Sequence, residues 1–191
     1  MPQPLSFLNF NFMILRISLL FIFFQFSSFA QQVQFSVDET SSYIEYEGKH
    51  LLHDWSGINK KIKGVIISDE SSGKFTKIAL LANVKDFDSN NSGRDVHSLE
   101  VLEALRFPEV KFYSAQILQS SDEISFIGSL EFHGVTIEKK VQAKVTEIEN
   151  QILFSGEFQL TPSDFGIELP SFMTVKMKDQ LDFNFRIVIN K

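Results

Sequence analysis

Ile124-Ser125-Phe126-Ile127-Gly128-Ser129-Leu130-Glu131-Phe132 is the stretch that decides the fold. Ile124, Phe126, Gly128, Leu130 and Phe132 fall on one side, and Ser125, Ile127, Ser129 and Glu131 on the other. Successive side chains of a strand point to opposite faces, so this is a strand with one apolar and one wetter face. The rhythm recurs at Val141, Ala143 and Val145 against Gln142, Lys144 and Thr146. It returns at Ile152, Phe154, Gly156, Phe158 and Leu160, and again at Leu181, Phe183, Phe185, Ile187 and Ile189. Further strands are expected over Tyr43–His50, Lys60–Ser68, Phe75–Val84 and Val110–Leu118, with a short one at Gln34–Val37. The links at Glu70–Gly73, Ser120–Asp122, His133–Gly134 and Glu149–Asn150 are short. Such links join antiparallel neighbours, because parallel strands need crossovers of about a dozen residues or more.

Ser92–Leu105 breaks the alternation. Val96, Leu99, Leu102 and Leu105 recur every three residues with Val101 beside them. Ser92 or Asp95 is the expected cap, and Pro108 prevents continuation, which makes this one short amphipathic helix. Eight or so half-buried strands with one helix must hide one face of a sheet. They can stack as a sandwich or close as a barrel, and periodicity does not choose between these.

The first thirty residues follow another pattern. They hold eight of the chain's 21 phenylalanines and a single charge, Arg16. Ile17–Phe24 is apolar except for Ser18, and Ser28 and Ala30 are small residues two apart. A basic start, a short apolar core and a small-x-small end predict a secretory signal peptide over 1–30, cleaved after Ala30. Met13 is an alternative start. The run falls short of the roughly 20 apolar residues that span a bilayer, so no transmembrane span is expected after cleavage.

The remainder, 31–191, is expected to be one domain of a periplasmic or secreted protein. The net charge of −6 over the 191 residues becomes −7 when Arg16 leaves. That acidic balance argues against nucleic acid, whose phosphates demand clustered Lys and Arg. With no cysteine, disulfides, thiolate catalysis and sulfur-ligated zinc are excluded.

Polar residues offer little chemistry. His50 and His53 are three apart beside Asp54, in a segment that reads as strand running into loop, where this spacing does not bring them to one face. No metal site and no catalytic residue is expected there, and no G-x-S-x-G occurs. Glu131, Glu157 and Asp182 are the wet members of alternating strands. Gly93-Arg94-Asp95 opens the helix, and Arg94 and His97 are candidates to meet an anionic headgroup at a barrel mouth. The apolar face is the remaining candidate site. Phe126, Leu130, Phe132, Val141, Val145, Ile152, Phe154, Phe158, Leu160, Phe183 and Phe185 are expected to line a lumen. Tyr46 and Trp55 are expected near its end with their polar tips toward water. The competing reading of these residues is a packed core.

Several motifs follow one another in a familiar order. They are Ser42-Tyr43-Ile44-Glu45-Tyr46, His53-Asp54-Trp55-Ser56-Gly57 and Lys63-Gly64-Val65-Ile66. Then come Gly93-Arg94-Asp95-Val96-His97 and Arg106-Phe107-Pro108-Glu109-Val110-Lys111-Phe112. Gly128–Thr136 follows, and Ser163-Asp164-Phe165-Gly166-Ile167 leads through Lys176–Asp179 into the last strand. Over nearly all of 34–189 this order resembles the YceI-like family, the lipocalin-like polyisoprenoid-binding proteins of bacteria. The resemblance implies an extended eight-stranded antiparallel barrel with one short helix near its opening. It also implies an elongated apolar cavity that binds an isoprenoid or other long-chain amphiphilic lipid, with no cofactor besides that lipid. Two features depart from the family. Thr161-Pro162 stands where many members carry a basic residue, and Leu169-Pro170-Ser171-Phe172-Met173 looks like a separate branch. Two rivals to a lipid carrier are a barrel enzyme using His97 or His133 as base on a lipid-like substrate, and a non-catalytic stress or interaction module.

Overall fold

The structure is a computed structural model that describes residues 31–51, 53–172 and 175–191. The expected export signal and Met173 lie outside the described residues. In chain order the elements are β1 (Gln32–Ser36), β2 (Tyr43–Lys49), β3 (Asp54–Asn59), β4 (Lys63–Asp69), β5 (Phe75–Asn83), β6 (Phe87–Asp88) and α1 (Ser92–Val101). They continue as β7 (Glu109–Gln119), β8 (Glu123–Phe132), β9 (Val135–Ile148), β10 (Gln151–Leu160), β11 (Ser171–Phe172), β12 (Val175–Lys176) and β13 (Leu181–Asn190). Short 3-10 turns occupy Val84–Asp86 and Pro162–Phe165.

Eleven strands form one sheet in the order β1-β4-β5-β7-β8-β9-β10-β13-β2-β3-β6, and β11 pairs with β12 alone. All the pairings are antiparallel. The chain is therefore all-β, with more strands than the eight expected. The surplus has a simple origin. β3 and β4 are separated only by residues 60–62, yet they lie near opposite ends of the sheet order. They are two arms of one bent strand, and the bend curls the sheet round into a barrel. With β3 and β4 taken together, and the short β1 and β6 set aside, eight long members remain.

Buried polar groups hold the bend and the crossing below it. Asn59 is fully buried. Its Nδ2 donates to the Asn83 carbonyl at 3.0 Å and its Oδ1 accepts from the Lys61 N–H at 2.8 Å. Both arms of the amide are thus satisfied, as burial requires. At the other end β1 crosses under the barrel. Val37 bridges to Ile189, the Asp38 N–H donates to the Val188 carbonyl at 2.8 Å, and the Val188 N–H donates to Ser42 Oγ at 2.9 Å.

The inward face divides into two apolar clusters. One fills the floor beside β1 and includes Val37, Ile66, Ile124, Ala143, Ile152 and Ile189, with Val145 packed against it. The other lies toward the mouth and includes Val84, Leu130, Phe132, Leu160, Phe165, Ile167 and Phe183. The mouth carries α1 and the β2–β3, β8–β9 and β10–β13 connections.

Several boundaries differ from expectation. β3, β6, β11 and β12 had no signal in the alternation, because each is short or, in β3, interrupted by Ser56 and Gly57 on alternate faces. β9 begins six residues earlier than expected, at Val135. α1 ends at Val101, and its cap is Asn91, whose side chain accepts from the Arg94 N–H at 3.0 Å. Asp95 instead accepts from the Ser89 N–H and hydroxyl at 3.1 and 2.6 Å. The expected amphipathic stripe is only partly used. Leu99, Val101 and Leu102 are half-buried, whereas Val96 and Leu105 are exposed. α1 covers an opening rather than a core, so only its inner residues find apolar partners.

His133 and Gly134 form the two-residue turn between β8 and β9, with φ of 50° and 75°. Two left-handed residues match the twist of a hairpin. A Cβ on Gly134 would lie 2.6 Å from the Phe107 ring. Gly134→Ala is therefore expected to lower stability by about 2 kcal/mol. Urea melting with an unchanged m value is the measurement, and a loss below about 0.5 kcal/mol would show that the turn tolerates a side chain.

Candidate functional site

Between the two clusters lies a cavity of about 220 Å³. Its wall is overwhelmingly apolar. Of the residues singled out from the sequence, Tyr46, Trp55, Phe126, Leu130, Phe132, Val141, Phe154, Phe158, Leu160, Phe183, Phe185 and His97 all line it. Val145 and Ile152 do not, because their inward registers fall at the floor, where side chains fill the barrel. Arg94 is also absent from the lining. It sits in the first turn of α1, where its backbone N–H serves the cap.

Within the wall the rings are ordered. Phe158 and Phe183 stack face to face, 4.9 Å apart and 1° from parallel, and they are register partners on β10 and β13. Phe154 meets Phe75 edge-on at 5.2 Å. Such geometry follows from the ring quadrupole and fixes the rings more tightly than aliphatic packing does.

Tyr46 and Trp55 are placed by glycines. Tyr46 is the register partner of Gly57, and Trp55 of Gly48. Each ring lies over the glycine facing it, where a Cβ would come within 2.5 Å. The two glycines carry the only sequence signal of this arrangement, and it is readable only once the β2–β3 register is known. Tyr46 also contacts Phe87 and Phe183, at 5.7 and 6.4 Å between ring centres.

Most polar groups of the cavity gather beneath α1, where Asp95, His97 and Ser98 join Tyr46 and Trp55 in the lining; Lys139 on β9 is the exception among the described residues. Burial pushes the Tyr46 phenol upward, reinforced by the Asp95 carboxylate, while Arg94, Trp55 and Ser98 pull the other way. The phenol is therefore a neutral hydrogen-bonding group at physiological pH. Asp95 and Ser98 escaped the sequence reading because the helix phase alone did not say which face meets the barrel. So did the aliphatic lining of β5, including Ile78, Leu80 and Ala82.

The remaining histidines lie elsewhere. His133 Nδ1 is 3.1 Å from the Phe165 carbonyl oxygen. Its Nε2 is 3.1 Å from Glu103 Oε2 but is not aligned for a hydrogen bond. Phe107 covers the ring at 4.6 Å. His133 thus ties together three mouth connections outside the cavity. His50 Nε2 lies 3.0 Å from the Val175 carbonyl oxygen, and its ring is 5.7 Å from that of His53. Among the described residues no three His, Cys, Asp or Glu side chains gather in a metal-holding group.

A curled antiparallel barrel, a bent closing strand and a narrow apolar lumen capped by one helix are now in place. Residues 35–189 match the sequence pattern of the YceI-like domain. This chain belongs to the YceI-like family. Among its relatives, a UPF0312 protein of Pectobacterium atrosepticum is 29% identical over 122 residues. The protein YceI of Salmonella newport is 27% identical over the same length. Those alignments cover 62% of this YceI-like chain and 64% of each relative. Burkholderia cenocepacia BcnA superposes with a TM-score of 0.71 at 19% identity, over 80% of this chain and 98% of BcnA. A polyisoprenoid binding domain from Saccharophagus degradans, implicated in plant cell wall breakdown, gives 0.68 at 12% identity, over 82% and 97%. At these identities the solved structures establish the YceI-like fold, and fold alone does not fix a ligand.

Proposed function

We propose that this chain is an exported, non-enzymatic binding protein that holds an isoprenoid or other long-chain amphiphilic lipid in its barrel lumen. The carrying observation is the cavity: an apolar lumen whose few polar groups are nearly all collected at the end beneath α1. That distribution matches a molecule with a long apolar body and a small polar end. Each buried methylene contributes about 0.8 kcal/mol. Association costs at least about 4 kcal/mol, so roughly five methylenes only break even and a long tail is required.

Family membership and the polyisoprenoid-binding neighbour support the reading. The apolar run and small-x-small pattern of residues 1–30 support export, into the periplasm or beyond the cell. Against a barrel enzyme, His133 stands outside the cavity lining, and His97 is the single histidine on it. The test is native mass spectrometry of protein purified from an exporting host, followed by lipid extraction. One long-chain lipid per chain is the expected result. A ligand-free protein that takes up no long-chain probe would overturn the proposal.

A further inference from the structure

The barrel wall has a seam. The β9–β10 ladder runs from the Gln151–Ile148 pair to the Ser155–Lys144 pair and stops there. Beyond it β9 remains paired with β8 as far as Val135, and β10 remains paired with β13 as far as Leu160. Residues 135–143 and 156–160 therefore carry no pairing with each other, on the half of the wall nearest the mouth. Cavity-lining residues stand on both lips: Lys139 and Val141 on β9, Phe158 and Leu160 on β10.

Lys139 occupies an inward register. Ile137, Lys139 and Val141 are half-buried, whereas Glu138, Lys140 and Gln142 between them are exposed. Nζ crosses the seam to donate to the Gln159 carbonyl at 2.6 Å, in a hydrogen bond that is open to solvent. Apart from the Tyr46 phenol, the ionisable groups on the lining are Asp95 and His97 on α1 and Lys139 at the seam. The acidic Asp95 beneath α1 and the basic Lys139 at the seam therefore differ in sign. The Asp95 carboxylate disfavours an acid beneath α1, and Lys139 favours one at the seam.

We propose that the seam is a second polar subsite, where Lys139 pairs with the acidic headgroup of a single-chain lipid whose tail lies in the cavity. The headgroup is an oxyanion, a carboxylate or a phosphate monoester. It takes the ammonium from a neutral carbonyl, and a charge-assisted bond is the stronger of the two. The Gln159 carbonyl is then hydrated through the open seam. This inference rests on the lipid-binding reading above.

Three probes with one tail separate the possibilities: oleic acid, oleyl phosphate and oleyl alcohol. Trp55, the chain's one tryptophan, lines the cavity and supplies the fluorescence signal for titrating the purified exported protein. At least one acid is expected to bind about tenfold more tightly than the alcohol. The stronger acid identifies the headgroup. In Lys139→Met the acid-to-alcohol ratio is expected to fall to about twofold or less, and Lys139→Arg is expected to retain most of it. Lys140→Met, on the outward register of the same strand, is expected to keep the wild-type ratio. Equal binding of acids and alcohol by the wild type overturns the subsite, and that comparison needs no variant. So does a preference that survives in Lys139→Met. Failure of all three probes to bind overturns the lipid-binding reading instead, so the two failures are told apart.

Discussion

Phe154→Ala is expected to lower the stability of the barrel by about 3–5 kcal/mol. Phe154 is 1% exposed. It belongs to the floor cluster and also lines the cavity, and it touches Phe75 and Phe126 at 5.2 and 6.1 Å between ring centres. Truncation removes the transfer energy of the ring and leaves a void that opens directly into the lumen. The surrounding rings cannot collapse to fill it, because each is held by its own strand register. Equilibrium urea unfolding measures the loss. A loss below about 1.5 kcal/mol would mean that the lower lumen is loosely packed and that Phe154 is not its floor.

Val141→Trp is expected to weaken long-chain binding by about a hundredfold or more while the barrel still folds. Val141 faces the lumen, half-buried, opposite Phe126 on β8. A larger ring there occupies the space of a ligand tail. Excluding about four methylenes removes about 3 kcal/mol of burial, which is roughly two orders of magnitude in affinity. Overpacking costs stability as well, about 1–3 kcal/mol. The two effects are separated by titrating a fluorescent long-chain probe and recording a thermal melt on the same sample. Full affinity in a folded Val141→Trp protein would place the tail outside this lumen.

The sequence made the long strands legible because each has one dry and one wet face. β8, β10 and β13 fall close to where the alternation put them, with their phenylalanines inside. It could not separate lumen from core, because a side chain facing a cavity and one facing a packed floor carry the same alternation. Val145 and Ile152 show this: their parity is that of Val141 and Phe154, but they sit at the filled end. Nor could it register β3, whose apolar positions are broken by the glycine that makes room for Tyr46. The helix was recognisable from its three-residue spacing, but its phase against the barrel was not. Asp95 and Ser98 consequently emerged only from the fold. Lys139 was hidden for a related reason, since a lysine within an alternating strand reads as a wet residue whichever way it points.

Closure of this barrel depends on partners that lie far apart along the chain. β2 pairs locally with β3, but its other edge is filled only by residues 181–186 of β13. Lys49 Nζ meets Asp182 Oδ2 at 2.6 Å across 133 positions. Ser42 accepts from Val188 across 146. Contacts of such long range impose a high relative contact order, and loop entropy must be lost before they form. β13 is thus the strand that joins the edges of β2 and β10, and the barrel does not close until it is in place. A chain lacking β13 would not be a smaller barrel but an open sheet with the edges of β2 and β10 bare, ready to pair with the next such sheet.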